Sequence, residues 1–331
     1  MLIVGAGDIG RRVIAGTKRT KRRDTVWAAT STPAHRASLK RLGARPVLAN
    51  LDRPGTLKRL PRGWDVLLHA APPQSYLTQD RRTRHLLRSV PGAGRCSDTR
   101  GLLPPAAASG GRYGINTSRN STQTPRRARL LVYLSTSGVY GDCAGARITE
   151  AQPLNPRNAR ARRRVDAERV LTRAARRGAF RLVILRVPGI YAADRLPLDR
   201  LKAGTPALLP VDDVYTNHIH AADLAAITHA AVRRMRRRVR PQVRIYHASD
   251  DSDLKMGDYF DLVADAFGLP RPPRLPRVEV AARVSPMLLS FMSESRRLDN
   301  TRMKRELRVR LQFATAAAGV EAAAKLMRSQ A

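Results

Sequence analysis

Short runs of nearly unbroken Val, Ile, Leu and Ala punctuate the chain. They fall at Met1–Val4, Thr25–Ser31, Arg45–Leu51, Trp64–Pro73, Arg129–Gly141, Ala179–Tyr191 and Gln242–Ser249. A strand that is apolar on both faces is buried on both faces, as in a parallel sheet. Between the runs, apolar residues return every three or four positions, as at Ile9, Val13 and Ile14, and this spacing predicts helices. The helix at Pro33–Gly43 closes on a glycine suited to a C-terminal cap. Strands alternating with helices predict an α/β fold, a doubly wound parallel sheet of Rossmann type, over residues 1–191. After Ala192 the texture changes. Helical patterns at Pro197–Gly204, Ala221–Val232, Lys255–Gly268, Pro276–Met292 and Thr301–Val309 predict a smaller, mostly α C-terminal lobe over 192–331. The seventh strand, at about 242–249, interrupts that lobe.

One stretch follows neither period. From about 89 to 127 the chain is rich in Gly, Pro, Ser, Thr and Arg, and it reads as a flexible surface insert.

Composition adds bounds. With 331 residues, 43% of them hydrophobic, the chain has enough apolar surface for a substantial core. No apolar run reaches the roughly 18 residues that a membrane span needs, and the first residues lack the pattern of a signal peptide. The chain has two cysteines, Cys96 and Cys143, too few for a disulfide framework, and no Cys/His spacing suggests a metal site. These features predict a cytoplasmic protein without a metal. The charge changes the picture more. Lys and Arg number 62 against 26 Asp and Glu, a formal net charge of +36. A field of that sign attracts nucleic acid without any specific site. The basic residues are spread along the chain, however. The dense runs at Thr17–Arg23 and Arg233–Arg240 read as solvated helix faces. A nucleic-acid-associated basic protein stays as an alternative.

The sharpest motif is GAGDIG, with Gly5, Gly7 and Gly10 and with Asp8 and Ile9 completing the loop. It follows a strand and opens a helix. In that context Gly5 permits the tight turn, Gly7 lets a pyrophosphate approach the backbone, and Gly10 allows close helix–strand packing. The helix N-terminus favours phosphate charge. An NAD-binding site normally places Asp or Glu at the end of the second strand to bond the ribose 2′-hydroxyl. Here the stretch is ATSTPAHR, without an acid. Thr30, Ser31 and Arg36 suit a 2′-phosphate, which favours NADP over NAD by a small margin. The same residues also read as strand-end and helix-cap positions.

Further motifs come in a telling order: NLDRP from Asn50, HAAPP from His69, LSTSGVYGD from Leu134, LRVPGIYAADRLPLDRL from Leu185, TNHIHAADLA from Thr216, and SRRLDNTRMKREL from Ser295. With the glycine loop, they make the chain resemble the extended or atypical short-chain dehydrogenase/reductase superfamily, in its NAD(P)-dependent epimerase/dehydratase branch. The resemblance implies cofactor contacts from Gly5, Gly7 and Gly10, from Asn50 and Leu51 beside the adenine, from Ala70, Ala71 and Pro72 after the fourth strand, and from Pro188 near the nicotinamide. It implies that Thr136 hydrogen-bonds the substrate and that Arg296, Arg297 and Asn300 belong to a substrate-domain element.

The resemblance also exposes a departure. The family carries a Tyr, and a Lys four residues later, on the helix that follows. Counting back from Glu168, those positions hold Arg160 and Arg164. Spacing i, i+4 keeps both on one helical face. Arginine cannot give up its proton in a protein, so neither residue can serve as the base. Val165 and Leu171 supply the helix's apolar side. Tyr140, His69, His218 and His220 are the candidate stand-ins for the proton. Each histidine reads equally as a structural residue, and Tyr140 as a packed aromatic. The expectation is an NAD(P)-dependent oxidoreductase acting on a small substrate, such as a nucleotide sugar. Its catalytic group would comprise Thr136, Tyr140, Arg160 and Arg164. The alternative in the same fold is a dinucleotide-binding sensor or scaffold without turnover.

Overall fold

The computed structural model describes residues 1–17, 25–90, 129–236 and 243–329. The insert expected at 89–127 lies outside the described residues beyond Val90. So do Cys96 and much of both dense basic runs.

All seven apolar runs form strands, and all seven join one sheet: β1 (Leu2–Val4), β2 (Trp27–Thr30), β3 (Arg45–Leu48), β4 (Val66–His69), β5 (Leu130–Thr136), β6 (Arg181–Val187) and β7 (Val243–His247). Every neighbouring pair is parallel. The spatial order is β3-β2-β1-β4-β5-β6-β7. Strand order therefore reverses between β1 and β4, the switch point beside which open α/β sheets bind ligands. Pro46 pairs with Ala28 in β3. It is tolerated there because β3 is an edge strand and its other side has no ladder to donate to.

Alternate residues of the strands feed two cores. Ile3, Leu68, Val132, Val183 and Leu185 pack on one face of the sheet with Val13 of α1 (Asp8–Thr17) and Ile227. Leu2, Leu67, Leu131 and Leu182 pack on the other with Leu171. Helix α2 (His35–Arg41) ends before Gly43, which adopts φ +86°. Helix α3 (Arg81–Ser89) starts on Asp80, whose carboxylate accepts from the Thr83 amide at 3.0 Å. Helix α4 (Ala159–Arg176) starts on Asn158, whose side-chain oxygen accepts from the Ala161 amide at 2.9 Å. Both caps satisfy amides that a helix leaves unpaired at its start.

A third core, built on Leu201, Phe260, Val263, Val280 and Val320, organises the C-terminal helices. These are α5 (Leu198–Lys202), α7 (Met256–Ala266), α8 (Arg277–Arg283), α9 (Pro286–Phe291) and α11 (Ala316–Arg328). Helix α6 (Ala221–Met235) packs instead under the sheet beside α1, and α10 (Thr301–Leu307) adds Met303 and Leu307 to the same layer. Two differences from the sequence reading concern this half. The helical stretch expected at Pro276–Met292 is two helices. Pro286 cannot donate a backbone hydrogen bond and begins a new one, capped by Ser285. Helix α11 has no counterpart among the expected elements. Among the described residues no helix is long and apolar enough to cross a membrane.

Candidate functional site

The glycine loop lies at the carboxyl end of β1, where its three glycines have three different surroundings. Gly5 has φ +95°, and a Cβ there would stand 2.2 Å from the Ala71 amide nitrogen. At Gly10 a Cβ would meet the Gly5 carbonyl oxygen at 2.6 Å. These two positions are closed by backbone. Gly7 has nothing within 4 Å of the same point, so its free face opens outward. The first helical bond of α1 runs from the Arg11 amide to the Gly7 carbonyl at 2.9 Å. The amides of Asp8, Ile9 and Gly10 thus precede the helical ladder, the donors that a helix start offers to an anion. That combination fits a phosphate.

A cleft of about 210 Å³ opens over this loop. Gly5, Gly7, Asn50, Leu51, Ala71 and Pro72 line it, and Ser31, Thr32 and His35 close the end beyond β2. Asn50 spends its side-chain oxygen on the Asp52 amide at 2.8 Å, which shapes the turn after β3. Several expected cofactor residues contribute differently from the expectation. Ile9 turns its side chain into the core, so only its amide serves the loop. Asp8 pairs with Arg12 at 2.9 Å and faces Arg195 at 3.5 Å. Arg36 stands exposed on the first turn of α2, outside the lining, with His35 in its place. Ala70 also lies behind the lining, where its amide bonds the Val4 carbonyl at 2.8 Å.

A second cavity, of about 540 Å³, opens where β5 and β6 end. Thr136, Arg160, Arg164 and Pro188 meet there, as does Arg296. The Gly138 amide donates to Thr136 Oγ1 at 3.3 Å, which leaves the hydroxyl proton of Thr136 for a ligand. Arg164 is anchored: its Nη1 donates to the Tyr133 hydroxyl at 3.0 Å and to the Leu134 carbonyl at 2.9 Å. Arg160 lies 4.4 Å over the Phe291 ring of α9. The sequence reading missed the residues that enclose this space from the C-terminal half, among them Arg200, Tyr215, Tyr259, Phe291 and Glu294. No spacing rule connects such distant positions.

Tyr140 must be removed from the catalytic group. It is buried, 1% exposed, and it does not line the cavity. Its hydroxyl accepts from Arg186 Nη1 at 2.6 Å and donates to His247 Nε2 at 2.6 Å. Burial pushes its pKa up to about 12, against the pull of Arg186. Arg186 in turn holds Glu168 at 2.8 Å, with both side chains almost wholly enclosed. Ser135 donates to the same carboxylate at 2.5 Å. The sequence carried a signal for this network: a charged Arg186 inside an otherwise apolar strand needs a buried counter-charge.

Arg297 lies over Tyr215 at 4.7 Å. Asn300 holds the carbonyls of Ser249 and Asp250 at 2.9 and 3.0 Å. Of the late SRRLDN motif, only Arg296 therefore reaches the cavity.

Residues 115–324 match the family described as the RmlD substrate binding domain. The chain belongs to this family. Among solved structures, a functionally unknown conserved protein from Silicibacter pomeroyi DSS is 26% identical, with TM-score 0.70, over 100% of this chain and 98% of that one. UDP-galactose 4-epimerase is 16% identical with TM-score 0.69, over 99% of each chain. A short-chain dehydrogenase/reductase superfamily protein from Agrobacterium tumefaciens with bound NAD is 17% identical with TM-score 0.69, over 99% of this chain and 97% of that one. The last two show a shared fold. No curated protein matches in sequence. The family and the fold agree with the resemblance read from the motifs.

The histidines of this RmlD-type chain are poor acid–base candidates. His69 is fully buried and bonds Thr83 Oγ1 at 2.8 Å, and burial lowers its pKa to about 3. His218 lines the cavity but stacks on Tyr259 with centroids 4.0 Å apart, and burial lowers it to about 4. His220 caps α6, its Nδ1 accepting from the Ala222 amide at 3.2 Å. His247 donates from Nδ1 to the Asp299 carbonyl and is lowered by burial to about 4. Lowered folded-state values mean that acid protonates the unfolded chain first, so stability falls as pH drops below the ordinary value of about 6.5 towards about 4. Asp250, raised by burial to about 7, and Asp213, also raised by burial, work in the opposite direction, but they are two groups against five lowered imidazoles, His220 and His229 included. The melting temperature is therefore expected to fall between about pH 6.5 and about pH 5. A flat profile there would show that these imidazoles are already charged in the fold.

Proposed function

We propose that this chain is an NAD(P)-dependent oxidoreductase of the epimerase/dehydratase kind, acting on a small carbonyl- or hydroxyl-bearing substrate such as a nucleotide sugar. The observation that carries this reading is the contrast within the glycine loop. Gly5 and Gly10 are shut by backbone while Gly7 is open just before the first turn of α1, as a close-lying pyrophosphate needs.

When bound, a nicotinamide supplies or accepts the hydride. This chain's residues do the rest. Thr136 donates its hydroxyl proton to the substrate oxygen. Pro188 and the β6 loop wall the nicotinamide end of the cavity. Arg164 takes the place of the family's lysine as the fixed cation, held by Leu134 and Tyr133. Arg160 orients by donation only, because its proton does not leave. The proton that accompanies the hydride then exchanges with water entering the open cavity. The absence of an acid at the end of β2, with Ser31, Thr32 and His35 in its place, supports NADP over NAD by a modest margin.

Titration of the chain with NADH and NADPH by protein fluorescence, followed by a screen of carbonyl substrates for loss of nicotinamide absorbance, tests the reading. We expect binding of both forms, with NADPH tighter. Replacing Thr136 with valine should lower kcat by about 10²-fold, the scale of one lost donor to a developing oxyanion, with cofactor affinity unchanged. Failure of both coenzymes to bind a folded sample would overturn the proposal. Binding without turnover over a broad panel would favour the second reading, a cofactor-dependent sensor. One observation supports that second reading: Arg160, the residue in the family's tyrosine position, stays protonated and cannot act as a base.

A further inference from the structure

The larger cavity has an unbalanced charge. Five arginines line it, Arg160, Arg164, Arg195, Arg200 and Arg296, against a single carboxylate, Glu294. That carboxylate is already engaged, by Arg296 at 2.9 Å and by the Asn158 side-chain amide at 3.3 Å. Arg195 faces Asp8. Among the described residues, Arg160, Arg164 and Arg200 have no carboxylate within ion-pair distance. Arg164 is used by a carbonyl and a phenol, and Arg200 lies 4.5 Å over Phe260.

Arg160 and Arg200 each lie over a phenylalanine ring, and Arg160 is the one in the position where the family carries its tyrosine. Its guanidinium is stacked on Phe291. Stacking covers a face of the plane and leaves the in-plane N–H groups free to donate. Its backbone neighbour Ala161 packs beside the turn that carries Thr136, since a methyl on Gly138 would lie 4.0 Å from the Ala161 Cβ and 3.7 Å from Thr136 Oγ1. Arg160 lines the cavity together with Thr136, Gly138 and Arg164, the corner that we read as the reacting one. Concentrating cations in one recess costs free energy through their mutual repulsion, and an anionic ligand relieves it. A substrate neutral at this corner would leave the fork without a partner.

We propose that the substrate carries an oxyanion, a carboxylate or a phosphate, next to its reacting carbon, and that Arg160 reads it with Arg164 behind. The inference rests on the reading of this cavity as the substrate site. It makes Arg160 a specificity-determining residue that selects for charge in the position where relatives place a tyrosine. A guanidinium fork matches two oxygens of one carboxylate or phosphate, which a lysine cannot do.

Calorimetry without coenzyme tests this, with inorganic phosphate, D-glucuronate and uncharged D-glucose as probes. The wild-type chain is expected to bind both anions and not D-glucose. Arg160→Gln should weaken both about tenfold or more, the scale of a lost charged hydrogen bond, and Arg160→Lys should recover part of the loss. Arg283→Gln removes an exposed charge of α8 and should leave both affinities unchanged, which separates the site from the general field of a basic protein. Anion affinities that survive Arg160→Gln, or that fall only with Arg200→Gln, would overturn the proposal. Phosphate binding alone would assign a phosphoryl group, and glucuronate binding alone a carboxylate. The coenzyme titrations run on the same samples report separately on the parent reading. Intact NADPH binding with no Arg160 effect defeats the anion site only. An Arg160 effect without coenzyme binding defeats the oxidoreductase reading and leaves the anion site standing.

Discussion

Replacing Glu168 with alanine is expected to destabilise the folded chain by about 3–5 kcal/mol, the usual consequence of stripping one partner from a buried ion pair. The variant leaves Arg186 charged, enclosed and facing an empty space, with its remaining bonds to the Tyr140 hydroxyl and the Glu150 carbonyl unable to offset the lost carboxylate. Ser135 loses its acceptor as well. Urea unfolding measures the effect as a drop in midpoint at unchanged slope. Glu168→Gln keeps the shape and one acceptor oxygen and should fall between wild type and the alanine variant. The double replacement Glu168→Leu with Arg186→Met should recover much of the loss, since a well-packed apolar pair often matches a buried ionic one. A Glu168→Ala variant as stable as wild type would show that water reaches this pair in solution.

The second large effect falls on binding and not on folding. Gly7→Val is expected to weaken NADH and NADPH by about 10²-fold or more, roughly 3 kcal/mol, and to leave the melting temperature within a few degrees. The position has open space for a side chain, so the fold accepts the branch, which then fills the volume that a pyrophosphate needs. Gly5→Val should behave in the opposite way. Its side chain would collide with the Ala71 backbone, so the folded yield itself should drop. Equal loss of folding in both variants would remove the distinction between the two glycines on which the cofactor reading depends.

The fold was legible from local pattern because parallel strands buried on both faces leave continuous apolar runs, and seven such runs are seven strands. The glycine loop was legible because its chemistry is contained in six consecutive residues. The limits have equally physical causes. Tyr140 sits one turn beyond Thr136 in a motif with a catalytic neighbour, yet a short helical turn after β5 rotates it away from the cavity and into the Arg186 network. Ile9 and Arg36 owe their expected roles to their place in a motif, but a side chain's direction depends on packing that the motif does not encode. Arg160 and Arg164 meet at the cavity because helical periodicity fixes which face they share. Their company, from Arg200 to Glu294, is assembled by tertiary contacts between segments far apart in the chain and was out of reach of any local rule.

One topological detail governs how the chain can mature. Strand β7 comes from the second half yet forms the sheet border next to β6, and it brings His247, the imidazole that the Tyr140 hydroxyl needs. Until the ribosome has released residues beyond 247, a nascent chain displays an unpaired apolar border and an incomplete polar cluster. A chain that stops anywhere before that point would thus be a sticky fragment in need of chaperones, so residues 1–191 alone cannot be expected to fold without penalty.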